Sequence, residues 1–119
     1  MPPGSEELIN HIYDRFNARD IEAILEHMHP DVHWPNGWEG GYVNGHGEVR
    51  EYWTRQWKEI DPKVDPVKIK INTSGTIQVT VHQVAKDLVG KLLSDGYVEH
   101  VYTIKDGLIA GMEIGQAAG

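Results

Sequence analysis

The sequence predicts an α+β domain in which three helices precede an antiparallel meander. Three observations carry that prediction. Apolar residues recur at helical spacing from Leu8 to Ile60, they alternate with polar residues from Val67 onward, and compact turn motifs punctuate the second half. A chain of 119 residues is the size of one ordinary domain, residues 1–119, and can bury its own core.

The elements follow in order. Ser5 stands where a cap belongs, and Leu8, Ile9, Ile12 and Phe16 share a face flanked by Tyr13, predicting a first helix that ends near Ala18. Asp20 caps a short second helix, residues 21–28, with Ile21, Ile24 and Leu25 inward. Pro30 stops it, having no N–H to give. A short strand over residues 32–34 follows, and then glycines open a loop to about Gly47. On the third helix Val49, Tyr52, Trp53, Gln56, Trp57 and Ile60 occupy one face, ending before Pro62. In the meander, residues 67–71 alternate apolar with lysine, and residues 76–84 alternate Ile77, Val79 and Val81 with Gln78, Thr80 and His82. Residues 87–93 continue that strand after a bulge, Ser94-Asp95-Gly96 reads as a turn, and Lys105-Asp106-Gly107 joins strands 97–104 and 108–114.

Composition excludes several classes of function. Eleven Lys and Arg against 18 Asp and Glu give a net charge of -7 with no basic cluster, which argues against nucleic acid and anionic membrane as partners. The absence of cysteine removes disulfides, thiolate metal sites and cysteine nucleophiles. The start, Met1 to Glu7, has neither the basic nor the apolar region of a signal peptide, and no apolar run is long enough to span a bilayer, so the expected address is cytoplasmic.

All four tryptophans and four of the seven histidines crowd between His27 and Trp57. Indole rings bring large apolar area and one N–H each, so Trp34, Trp38, Trp53 and Trp57 either line a cavity or fill a core. Trp34 and Trp38 flank the Pro35-Asn36-Gly37 turn and are assigned to a cavity mouth, with the glycine-rich segment 40–47 read as either a flap carrying Trp38 and Tyr42 or a plain connection. It lacks the lysine of a phosphate loop. His27, His29 and His33 straddle a proline and a helix-to-strand change, which would splay their rings, so no metal site is expected. Gln56, polar on an apolar face, needs either a protein partner or a ligand.

Taken in order, Asn17-Ala18-Arg19-Asp20-Ile21 between two helices, His29-Pro30-Asp31-Val32 entering a strand, residues 47–53 opening the third helix, and Glu99-His100-Val101-Tyr102 with Asp106-Gly107-Leu108-Ile109 closing the chain resemble the NTF2-like superfamily, and within it the SnoaL-like and ketosteroid-isomerase-like branch. The resemblance implies an NTF2-like (cystatin-like) cone, with three N-terminal helices packed on a curved, mostly antiparallel sheet around a conical cavity. It also implies a homodimer packed through the sheet. Carried over residue by residue, it puts the isomerase's general-base aspartate on Asn36, its helix-one phenol on Ile12, the supporting tyrosine on Trp53 and the oxyanion-hole acid on Glu99. Steroid isomerisation is therefore not expected, because Asn36 cannot abstract a proton.

What remains is a pocket for a small apolar organic molecule, with Tyr13, Trp34, Asn36, Trp38, Trp53, Gln56 and Met112 as ligand-binding candidates. Acid/base chemistry of lyase, isomerase, cyclase or hydrolase type falls to Glu99, with His82 or His100 as partner. A carboxyl group in an apolar cavity keeps its proton near neutral pH. Strand alternation leaves two assignments open: either the face of Val98, His100 and Tyr102 or that of Glu99, Val101 and Thr103 is inward, and His82 sits opposite the more apolar Ile77, Val79 and Val81. Nothing in the sequence implies a cofactor. The rival reading is a non-catalytic module for small ligands or protein partners.

Overall fold

The computed structural model describes residues 5–36 and 39–116. The side chain of Ser5, expected to cap the first helix, and Trp38 lie outside what is described. The elements run α1 (Ser5–Asn17), α2 (Ile21–Leu25), β1 (Met28–Pro35), β2 (Tyr42–Asn44), α3 (Gly45–Glu59), β3 (Ile60–Ile71), β4 (Ile77–Asp87), β5 (Leu92–Lys105) and β6 (Leu108–Gln116).

The break between α1 and α2 is built by side chains. Arg19 takes a left-handed conformation (φ 63°), which lets the Asp20 N–H reach back to the Arg15 carbonyl at 2.9 Å and close the helix end. The Arg19 guanidinium is ion-paired with Asp61 and lies over the rings of Phe16 and Trp57. Asp20 then caps α2, its carboxylate accepting from the Ala23 N–H. Asn17 ties the same corner to the sheet: its amide donates to the Val64 carbonyl at 2.8 Å and accepts from the Val64 N–H at 3.0 Å.

The six strands form one sheet in the order β2-β1-β6-β5-β4-β3, antiparallel throughout except for the parallel pair β1 and β6. The expected cone does not form. The sheet is open, ending in β2 on one side and β3 on the other, and it is not closed on itself. Nor are the three helices all N-terminal to the sheet, since β1 and β2 come before α3.

Several boundaries also differ from the sequence reading. Prolines 30, 62 and 66 lie inside strands, because β1 leaves the Pro30 position unpaired and β3 is an edge strand whose outer side asks for no ladder donor. Ser94-Asp95-Gly96 is not a turn but part of β5, paired with Ala85, Val84 and Gln83. The chain reverses earlier, where Gly90 supplies a φ of 93° and Asp87 accepts hydrogen bonds from the Val89 and Lys91 N–H groups. That turn leaves Leu88, Val89, Leu92 and Leu93 exposed.

One face of the sheet carries the core. Ile77, Val79 and Val81 of β4, Tyr102 of β5, and Ile109 and Met112 of β6 pack against Ile9 and Ile12 of α1, Ile24 and Leu25 of α2, and Val49, Tyr52 and Trp53 of α3. At about 1.5–3 kcal/mol per fully buried large side chain, this cluster is the main source of stability. The opposite face carries Gln78, Thr80 and His82 beside Tyr97, Glu99 and Val101.

Candidate active site

Between the core face of the sheet and helices α1 and α3 lies a cavity of about 510 Å³. Its walls are mostly aromatic and aliphatic, with the side chains of Gln56 and Gln83 among them. Trp34, Trp53 and Phe16 meet edge to face, with ring centroids 5.6 Å apart for Trp34 and Trp53 and 5.7 Å for Phe16 and Trp53. The rim is marked by the exposed lining residues Leu93, Ser94 and Ile114, and the inner end by buried Tyr13, His100, Tyr102 and Met112.

At that inner end three polar side chains form a chain. The Tyr102 hydroxyl donates to the Tyr13 hydroxyl at 2.8 Å, and the Tyr13 hydroxyl meets His100 Nδ1 at 2.6 Å. The rings lock one another, His100 stacking on Tyr13 at 5.9 Å and standing edge-on to Tyr102 at 6.3 Å. Burial disfavours charge on all three. It pushes the His100 imidazole down from 6.5 to about 4, so the ring is neutral at physiological pH. It raises the Tyr13 and Tyr102 phenols far above their usual range, so both keep their protons.

The structure brings Tyr13, Trp34, Trp53, Gln56, Met112 and His100 together around this cavity. Gln56 has a protein partner and a place on the wall at once, its amide donating to the Tyr52 hydroxyl at 3.3 Å. Other expected residues lie elsewhere. Asn36 is buried but organises its own turn, bonding Glu39 through both side-chain atoms. Tyr42 is exposed, stacked on His33 and donating to Glu113. Glu99 and His82 sit on the far face of the sheet, because β5 turns Val98, His100 and Tyr102 inward and β4 turns Ile77, Val79 and Val81 inward. There Glu99 accepts from Gln78 at 2.5 Å, and His82 pairs with Asp95 at 2.7 Å while stacking on Tyr97.

At two points the structure places polar side chains one residue away from those the resemblance implies. Helix α1 presents a phenol to the cavity at Tyr13, beside Ile12, which also lines it, and β5 turns His100 and not Glu99 inward. A one-residue slip in a strand exchanges its faces. Tyr102 is named by sequence alternation only as a member of the face of Val98 and His100 and not as a site residue, although its spacing of two from His100 puts both on one side of the strand.

The profile of the SnoaL-like domain matches residues 9–112. The chain belongs to this family. Among solved structures, this SnoaL-like domain superposes on TerC, co-crystallised with polyporic acid, at 28% identity and a TM-score of 0.80, covering 93% of this chain and 89% of that one. An NTF2-like protein of unknown function from Burkholderia pseudomallei matches at 21% identity and a TM-score of 0.80 over 94% of this chain and 89% of its own. A Mycobacterium tuberculosis protein in complex with estradiol-17beta-hemisuccinate matches at 18% identity and a TM-score of 0.78 over 91% and 89%. These last two show the shared NTF2-like fold. No curated protein matches the chain.

Proposed function

We propose that this SnoaL-like domain binds a small, apolar, ring-bearing organic molecule in the aromatic cavity and acts on it as an enzyme, with the neutral imidazole of His100 at the inner end as the catalytic residue, polarising a substrate oxygen by hydrogen bonding. The observation that carries the reading is the Tyr102–Tyr13–His100 chain ending at a cavity whose other walls are mostly rings and aliphatic groups, with Gln56, Gln83 and Ser94 as the remaining polar side chains. Support comes from TerC, whose co-crystallised polyporic acid is a small organic molecule. In this reading Tyr13 and Tyr102 position the imidazole, Gln56 orients a polar group of the substrate, and Trp34, Trp53 and Met112 supply apolar contact. Glu99 and His82 take no part in the cavity. Two copies meet through the outer face of the sheet, which leaves Tyr97 exposed.

A second reading, a binding module without turnover, draws on the lining itself: among the described lining residues there is no Asp, Glu, Lys or Arg. A panel of small aromatic molecules, screened by thermal shift and followed for turnover, separates the two. Catalysis predicts conversion that His100→Phe abolishes and Glu99→Gln leaves intact. Stabilisation by ligands without conversion of any of them would establish the binding module.

A further inference from the structure

The order of hydrogen bonds at the inner end of the cavity determines where the imidazole proton sits. Tyr102 donates to Tyr13 at 2.8 Å, so the Tyr13 oxygen already accepts one bond, and its own proton has a single acceptor within reach among the described residues, His100 Nδ1 at 2.6 Å. An N–H on Nδ1 would leave that phenol proton buried with nothing to bond, at a cost of about 1–3 kcal/mol. With Nδ1 accepting, the proton of a neutral imidazole must be on Nε2. Nε2 has no hydrogen-bond partner among the described residues. It is not sealed either, since the one buried side-chain nitrogen or oxygen without a partner among them is Trp57 Nε1. His100 lines the cavity, and Nε2 is the ring nitrogen that Tyr13 leaves available to a ligand there.

We infer that the Tyr102–Tyr13–His100 chain locks the imidazole as its Nε2–H tautomer, making His100 a dedicated hydrogen-bond donor that selects ligands with an acceptor oxygen, of carbonyl, quinone or ether type, at their inner end. This rests on the proposed use of the cavity and goes beyond it by assigning the polarity of the ligand. A ligand presenting only an N–H to Nε2 sets donor against donor, and one presenting only carbon leaves the imidazole N–H unpaired in an apolar setting. Tyr13 and Tyr102 are then positioning residues, acting on the ligand only through the tautomer they enforce.

Three tricyclic probes of nearly one shape test this. 9-Fluorenone presents an acceptor, carbazole a donor, and fluorene neither. Equilibrium dialysis should show fluorenone binding about tenfold tighter than fluorene, the worth of one added hydrogen bond, and carbazole no tighter than fluorene. The bound fluorenone carbonyl stretch should move to lower frequency in the wild type and not in His100→Phe. Imidazole nitrogen NMR of the unliganded protein near pH 7 should show His100 protonated at Nε2 and bare at Nδ1, with Tyr13→Phe mixing the tautomers and narrowing the preference for fluorenone. Equal binding of all three probes, or a proton on Nδ1 in the wild type, would overturn the inference while leaving the cavity a binding site. Failure of all three to bind would overturn the cavity reading and this inference with it.

Discussion

At the scale of single residues, His100 shows how a neighbour on a strand changes the chemistry assigned to a site. The sequence makes Glu99 and His100 equal candidates, because the alternating faces of β5 are similarly amphipathic. Only the packing of Tyr13 from α1 and Tyr102 from β5 decides for His100, which is 7% exposed. That burial has a consequence for stability. The unfolded chain takes up a proton on this imidazole below about pH 6.5, whereas the folded protein does not until about pH 4. Between those values the unfolded state binds more protons, so stability falls as the pH drops, by about 3 kcal/mol across the window. Urea unfolding should therefore show the wild type losing about 3 kcal/mol more than His100→Phe between neutral pH and about pH 4. Equal losses in the two proteins would mean the ring is open to water. Trp34, Trp53 and Gln56 were legible as cavity residues because an aromatic cluster with an amide on its apolar face is conspicuous in any register. Asn36 was not, since its bonds to Glu39 depend on how the turn closes.

At the scale of elements, the helices were readable from apolar spacing and caps, and the strands less so. Prolines 62 and 66 delayed the expected start of β3 to Val67, although an edge strand tolerates them. The reversal between β4 and β5 was placed at Ser94-Asp95-Gly96 because the chemistry of Asp87 and Gly90, equally turn-like, looked like a bulge. Beside the apolar packing of α1 on β3, one side chain with long reach in sequence ties them by hydrogen bonds: Asn17, bonded to both the N–H and the carbonyl of Val64. Asn17→Ala strands both groups in a partly buried place and should cost about 2 kcal/mol in chemical denaturation. Asp20→Ala removes one exposed cap from α2 and should cost about 1 kcal/mol. The reverse order would show that the corner is held by the α2 cap and not by the tie to β3.

At the scale of the molecule, the α+β class and the family were legible, while the expected cone is overturned by the structure. Its closure was inferred from resemblance, whereas the pairing of the strands leaves the sheet open at β2 and β3. The parallel pairing of β1 with β6, across most of the chain, has no local signal that sequence periodicity could carry. The open sheet still separates two faces: an inner one with the cavity, and an outer one with Glu99, His82, Tyr97 and Val101, where the proposed dimer forms. Val101→Lys should shift the protein from dimer to monomer in sedimentation while leaving binding in the cavity intact. An unchanged dimer would place its interface elsewhere. The central claim, that function resides with His100 inside and not with Glu99 and His82 outside, is tested most directly by following the histidine ring resonances while 9-fluorenone is added. The account predicts that the His100 signals move with ligand occupancy and those of His82 stay still. Movement of His82 with His100 unaffected, in a protein that binds the probe, would contradict it.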